Sequence, residues 1–226
     1  MNNVRELFTT AVDLDPTRPL LTFYDDATGE RTELSGATLS NWVAKTGNLL
    51  VDGAALGPGD TALVLLPPHW QTAAVLLGCW SAGLSVRPDG ATEEPFDIAF
   101  VAADRTDEVT VGDRYALGLH PFGLPLRDVP PGYQDYSVEV RGHGDRFAPS
   151  APADDQGPLC ARAVQRAATL GIAEGARVLI DASAYPDPVD WLLAPLAARA
   201  SLVLCGHLDQ DRLATRVQSE RVSLVV

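Results

Sequence analysis

The chain is nearly without lysine: of its 17 basic residues all but Lys45 are arginine. Any chemistry that needs a lysine amine must therefore use that one residue. Positive charge is scarce as a whole, with 17 Lys and Arg against 30 Asp and Glu, a formal net charge of −13 and a pI near 4.5. Phosphate backbones and anionic bilayers attract basic surfaces, so nucleic acid and anionic membranes are excluded as partner classes. Cysteine occurs three times, at Cys79, Cys160 and Cys205, each alone inside an apolar segment and none in a Cys-x-x-Cys pair. That spacing argues against a disulfide framework, a zinc site or a redox motif, and suits buried reduced thiols in a cytoplasmic protein. Long apolar runs are missing too. Arg5, Glu6, Asp13 and Asp15 interrupt the first twenty residues, which excludes a signal-peptide core there. Thr61 to Val86 carries no charge, but Pro67-Pro68-His69-Trp70-Gln71 divides it into pieces too short to span a bilayer.

What is present is the alternation of an α/β protein. Leu39, Trp42, Val43, Thr46, Leu49 and Leu50 recur at helical spacing, with Gly53 expected to supply the left-handed residue that ends the helix. Gly57-Pro58-Gly59-Asp60 turns the chain. Thr61 to Leu66 then reads as a strand covered on both faces, Trp70 to Ala82 as an apolar helix closed by Gly83, and Leu84 to Arg87 as the returning strand. Before this stretch, Val4 to Val12 reads as an amphipathic helix, and Leu20 to Tyr24 with Glu30 to Glu33 as a hairpin. After it, strands are expected at Phe96 to Ala102, Glu108 to Val111 and Tyr115 to Leu119. The pattern weakens between Pro121 and Pro158, where only Tyr136 to Val140 is apolar. It resumes with a helix over 159–170, a strand over 177–180, a helix over 189–198, a strand over 201–205, a helix capped by Asp209 and a last strand over 222–226. The fold class is α/β, with doubly wound, largely parallel sheets. The chain reads as a single domain over 1–226, with a division into two lobes, about 1–140 and 158–226, joined by the irregular 121–158 connection, as the alternative.

Few residue groups carry chemistry. Gly142-His143-Gly144-Asp145 lacks the third glycine and the flanking strand and helix of a nucleotide loop, so it reads as a turn. His143 and Asp145 have no further partner at metal-ligand spacing. Gly78-Cys79-Trp80-Ser81-Ala82-Gly83 misses a nucleophile elbow by one residue and lies within a helix, making Ser81 a packing residue. Trp42, Trp70, Trp80 and Trp191 suit core packing. Asp181, Ser183 and Tyr185 follow a strand, at the carboxyl edge where open α/β sheets bind ligands, and are the candidate site residues.

Several landmarks in order resemble the amino-terminal part of the adenylate-forming superfamily, which includes acyl-CoA synthetases, luciferases and the adenylation domains of peptide synthetases. Arg31-Thr32-Glu33-Leu34 is similar to the family's Thr-Tyr-x-Glu-Leu, and Leu56-Gly57-Pro58-Gly59-Asp60-Thr61-Ala62 to its Gly-Val-x-Pro-Gly-Asp-x-Val. Ala82-Gly83 and Pro88 stand where the family has Ala-Gly and a proline. Leu170 to Leu179 is similar to the Leu-x-x-Gly-Asp-x-Val-Leu run, and Leu196 to Leu204 to the Pro-Leu-x-x-Gly-Ala strand. Short actinobacterial AMP-binding-like proteins of unknown function look similar, and the arginine-rich, lysine-poor composition suits a GC-rich genome.

The resemblance implies the fold, while departures from it bear on activity. The family holds ATP phosphates with a Thr-Ser-Gly-Thr-Thr-Gly-x-Pro-Lys loop just ahead of the helix expected at Leu159. Here that place is taken by Phe147 to Pro158, with one hydroxyl, no lysine and the carboxylates Asp154 and Asp155. The family's downstream motifs and its catalytic lysine would fall beyond Val226, and Lys45, expected to be a solvated surface lysine, is no substitute. The expectation is therefore a truncated, degenerate relative that binds a ligand or a protein without forming adenylates. It needs no cofactor, and ATP, AMP or acyl-CoA remain conceivable ligands. The alternative is a ligase-like enzyme of acyl or nucleotide metabolism, with a site rebuilt from Asp181 to Tyr185 and the 142–158 loop. The apolar Ser223-Leu224-Val225-Val226 strand leads to the expectation of a homodimer covering that part of the sheet.

Overall fold

A computed structural model describes residues 3–88, 95–110, 112–148 and 156–226. In chain order the elements are α1 (Val4–Asp13), β1 (Pro19–Asp25), β2 (Glu30–Ser35), α2 (Gly36–Asn48), β3 (Thr61–Leu65), α3 (Trp70–Ala82), β4 (Ser85–Arg87), β5 (Ile98–Ala102) and β6 (Asp113–Leu117). They continue with β7 (Gln134–Asp135), α4 (Tyr136–Glu139), α5 (Gly157–Thr169), β8 (Arg177–Asp181), α6 (Ala194–Ala197), β9 (Ser201–Gly206), α7 (Gln210–Ser219) and β10 (Leu224–Val225). The chain forms two compact units, Met1–Leu39 with Pro68–Trp70 and Asp155–Val226, and Ser40–Pro67 with Gln71–Asp154. Each contains a five-stranded sheet.

The first unit has the strand order β10-β8-β9-β1-β2, parallel throughout except for the β1–β2 hairpin. Gly29, at φ +79°, closes that hairpin by donating its N–H to the Asp25 carbonyl at 2.8 Å. Parallel strands bury both faces, and the side chains sort accordingly. Leu179, Val203 and Cys205 form one buried cluster, against which Leu213 and Val217 of α7 pack. On the same face Tyr24 of β1 meets a charged network. The Glu220 carboxylate, just past α7, accepts hydrogen bonds from the Tyr24 hydroxyl (2.6 Å), Arg31 (2.9 Å) and Arg177 (2.5 Å). Arg177 also donates to the Glu220 carbonyl at 2.7 Å and to Thr22 Oγ1 at 3.0 Å. Beside it Arg216 grips Asp26 through two bonds of 2.6 and 2.9 Å, and its guanidinium lies 4.1 Å from the Tyr24 ring centroid. Burial alone would raise the Glu220 carboxyl, but the Tyr24 hydroxyl and the Arg177 and Arg31 guanidiniums outweigh it and hold it at about 2.

The second unit has the order β4-β3-β5-β6-β7, all parallel. Leu63 and Val64 of β3 are buried, as is every residue of β5. In α3 the apolar residues are spread round the helix instead of lining one face, the pattern of a helix enclosed by protein. Gly78 in α3 lets α2 approach closely: a Cβ there would stand 2.5 Å from the Thr46 side chain. Thr46 cannot swing away, because its hydroxyl bonds the Trp42 carbonyl at 2.8 Å and the fully buried Tyr136 hydroxyl at 2.7 Å. Ser81 is buried, as its reading as a packing residue requires.

Four local expectations are corrected. Gly53 does not end the helix in a left-handed conformation. The helix widens into a π-type turn over Leu49–Gly53, with Ala54 donating to Leu49, so the left-handed position moves two residues on to Ala55 at φ +56°. The strand expected over Glu108 to Val111 gives way to a 3₁₀ helix over Ala103–Glu108, braced by the Arg105–Glu108 ion pair. After it Val109 is buried and Thr110 exposed, while residue 111 lies outside the described residues. The 121–158 connection is less irregular than its composition suggests, since Gln134–Asp135 pairs with β6 and Asp135 caps α4 by accepting the Ser137 N–H at 2.7 Å. The strand expected over 222–226 contracts to Leu224–Val225, because the Val222 N–H turns back to the Val217 carbonyl at 2.9 Å to close α7. The loop expected over 88–95 lies mostly outside the described residues.

Two substitutions test this packing by urea denaturation. Gly78→Ala is expected to destabilise by about 1–3 kcal/mol, the range for overpacking a site that cannot yield. Glu220→Gln, which removes the counter-charge of the largely buried Arg177 and leaves Arg31 with Glu33 alone, is expected to cost about 3 kcal/mol at neutral pH. Because the folded carboxyl sits below its unfolded value of 4.5, its contribution is present above pH 4.5 and is lost as pH falls towards 2. The variant should therefore lose less stability than the parent across that window.

Candidate functional site

The parallel strands of the first unit end together at Asp181, Gly206 and Asp25, with Asp181 opposite Cys205 and Asp25 opposite Gly206. This is the carboxyl edge expected for Asp181, Ser183 and Tyr185, and all three belong to the turn that Asp181, the last residue of β8, begins. Asp181 Oδ1 accepts the Ser183 N–H at 2.9 Å, and its carbonyl accepts the Ala184 and Tyr185 N–H groups at 3.2 and 3.0 Å. The carboxylate thus shapes its own turn, as aspartate does after a strand. Ser183 is exposed, and the Tyr185 ring lies 6.0 Å from the Arg166 guanidinium of α5. Arg166 also pairs with Asp190 at 2.6 Å, and Arg162 pairs with Asp187. The segment after β8 is therefore fastened to α5 by ion pairs.

Sequence spacing misses a second group at the same edge. Asp25 Oδ1 lies 2.9 Å from Nδ1 of the exposed His207, and Asp26 Oδ2 accepts the Asp209 N–H at 2.8 Å. Asp25 and His207 are 182 residues apart, and only the β1–β9 pairing brings them together. Burial would raise the Asp25 carboxyl, but His207 and the Ala27 N–H hold it below the ordinary carboxylate range. Arg216, before any other group, holds Asp26 below that range as well. The edge is acidic, suited to accepting hydrogen bonds and unsuited to phosphate.

In the second unit Lys45 is not the solvated lysine expected. Its Nζ donates to the His143 carbonyl at 2.6 Å and pairs with Asp145 at 3.0 Å, leaving the side chain 23% exposed. Asn48, one turn on, donates to the Gly144 and Arg146 carbonyls, both at 2.9 Å. One face of α2 therefore pins the Gly142-His143-Gly144-Asp145 loop from its backbone side. Residues 149–155, which form much of the 142–158 loop and of the segment standing in for a phosphate loop, lie outside the described residues. Just after them Gln156, at the start of α5, accepts the Val4 N–H of α1 through Oε1 at 2.9 Å.

Two of the three cysteines are held as thiols by burial. All three are buried and outside any disulfide, and burial pushes the Cys79 thiol up and that of Cys205 to about 11. Among the described residues no group of three or more His, Cys, Asp and Glu side chains could hold a metal ion. No helix among them is long and apolar enough to cross a membrane. Lys45→Met is expected to speed amide hydrogen exchange over residues 143–146 and to lower stability by about 1 kcal/mol, as the loss of a hydrogen bond with a partly exposed charge does.

No family model matches the chain. A Mycobacterium tuberculosis (strain ATCC 25618 / H37Rv) protein described as a TIGR03089 family protein is 45% identical over 231 residues, covering 94% of this chain and 93% of its own. Among solved structures, an acyl-CoA synthetase from Brucella canis is similar with a TM-score of 0.74 at 18% identity, over 98% of this chain and 46% of that one. The acetoacetyl-CoA synthetase from Streptomyces lividans also gives 0.74, at 16% identity, over 99% of this chain and 42% of that one. The N-terminal domain of FACL13 from Mycobacterium tuberculosis gives 0.69 at 12% identity, over 100% of this chain and 62% of that one. The chain thus spans less than half the length of the first two synthetases, and at these identities the likeness is one of fold. It belongs to the TIGR03089 family and has the α/β fold of the amino-terminal part of the adenylate-forming acyl-CoA synthetases.

Proposed function

We propose that this protein keeps the adenylate-forming fold without the adenylate-forming reaction, and acts by binding a ligand or a partner protein. The observation that carries the reading is the state of Lys45. The one lysine ammonium in the sequence is committed to a carbonyl and a carboxylate of its own unit, where it serves as a clasp. The composition of Phe147 to Pro158 points the same way. Phosphate transfer relies on donors and positive charge aimed at the developing anion, and this segment supplies one serine and two aspartates.

A second reading, a ligase-like enzyme with a rebuilt site, draws on the position of Asp181, Ser183 and Tyr185 at the carboxyl edge of a parallel sheet. Acyl-dependent ATP–pyrophosphate exchange separates the two. The first reading predicts no exchange above a protein-free control with any carboxylic acid. Robust exchange that disappears in Asp181→Ala or Ser183→Ala would overturn it in favour of the second.

The partner we propose is a second copy of the chain, docked along the β10 edge. Val225 there is exposed, and β10 pairs on one side with β8. Light scattering over a dilution series is expected to give twice the chain mass at micromolar concentration and the single mass for Leu224→Asp. A parent protein that is monomeric at that concentration would remove the dimer.

A further inference from the structure

The opposite, amino edge of the first sheet holds a cleft of about 400 Å³, and its charge runs against that of the whole chain. Arg18, Arg31, Arg177 and Arg221 line it together with Glu33 and Glu220. Four guanidiniums face two carboxylates, so the cleft carries an excess of positive charge in a protein whose net charge is −13. The carboxylates are already engaged: Glu220 by Arg31, Arg177 and the Tyr24 hydroxyl, and Glu33 by Arg31 at 2.7 Å. The excess therefore rests on Arg18 and Arg221.

Neither of these is in contact with a carboxylate among the described residues, the exposed Asp15 acting on Arg18 only at longer range. Arg18 donates through Nη2 to the Arg199 carbonyl at 2.9 Å, while its Nε is buried with no hydrogen-bond acceptor. Leaving a buried guanidinium N–H unmet is costly, and natural structures usually meet it with a ligand, an ion or water. Arg221 is exposed and sits at φ +53°, the left-handed position just past α7. The reversed bonds Val222 N–H to Val217 C=O and Arg221 N–H to Gln218 C=O mark this as a helix stop that glycine normally fills. Arginine at this position costs more than glycine would, and it brings a guanidinium to the cleft lining that glycine could not.

We propose that this cleft is a binding site for a small, multiply charged oxyanion, the shared chemistry of phosphate esters and polycarboxylates, held by Arg18 and Arg221 between walls formed by the mutually balanced Arg31, Arg177, Glu33 and Glu220. Guanidinium forks match both kinds of oxyanion through paired hydrogen bonds, and Ser201 and Ser219 add polar lining. The site lies at the sheet edge opposite to Asp181 and is independent of whether the protein forms adenylates.

The test is titration calorimetry and thermal melting with pyrophosphate and with citrate, at constant ionic strength so that general screening is held fixed. Saturable binding of one or both is expected, and a response to pyrophosphate alone or to citrate alone identifies the phosphate or the carboxylate source. Arg221→Gly should weaken that binding roughly tenfold or more, as loss of a charge-assisted contact does, while raising the melting temperature of the free protein by relieving the left-handed arginine. Arg18→Gln should weaken binding similarly, and Arg162→Gln, which alters an ion pair elsewhere on the unit, should leave it intact. No saturable binding of either anion, or binding that survives Arg221→Gly unchanged, overturns the proposal.

Discussion

The Glu220 carboxylate is the point on which the first unit depends. Its side chain is 8% exposed, and a carboxylate so placed is tolerated only when its oxygens are met by strong donors. Three supply them: Tyr24 from β1, Arg31 from β2 and Arg177 from β8. Those strands and the end of α7 are thereby tied at one atom group. The adjoining Asp26–Arg216 pair repeats the device one helical turn earlier, and the Tyr24 ring lies beside both. The arginine bias of the sequence acquires a physical meaning here. A planar guanidinium can serve a carboxylate, a carbonyl and a hydroxyl at once, as Arg177 does, whereas a lysine ammonium offers a point charge without the fork.

This network also divides the two edges of the sheet by charge. At the carboxyl edge Asp25 meets His207, Asp26 is held by Arg216 and Asp181 shapes its own turn, where an open α/β sheet would receive a ligand. At the amino edge Glu220 and Glu33 together balance Arg31 and Arg177, so that Arg18 and Arg221 supply the positive excess of the cleft. In the second unit Lys45 is committed to loop geometry. Charges of both signs are thus used to fasten the fold, and the proposed loss of adenylate chemistry is consistent with that use.

Much of the architecture is legible from residue pattern. The βαβ stretch from Thr61 to Arg87, the β1–β2 hairpin and the Asp209 cap are local signals, and the structure forms each, with strand ends shifted by about one or two residues. What escapes the pattern is non-local or depends on fine turn geometry. Gly53 has the residue type of a helix stop, but a π-type turn moves the stop to Ala55. Lys45 reads as solvated because its carbonyl and carboxylate partners lie about a hundred residues away. The Asp25–His207 pair and the Glu220 network are hidden for the same reason, since sheet pairing and not sequence spacing assembles them. Asp181, Ser183 and Tyr185 do share one turn, although their spacing does not reveal that the Asp181 carboxylate serves the turn itself.

The central claim, that one buried carboxylate ties helix to sheet by engaging two of the cleft arginines, is tested most directly by following the Glu220 side-chain carboxyl in a ¹³C NMR pH titration. The account predicts a midpoint at about 2, well below the ordinary value of 4.5. A midpoint at 4.5 would mean that Arg31 and Arg177 are not bound to it, and would contradict both the clamp on α7 and the charge balance assigned to the cleft.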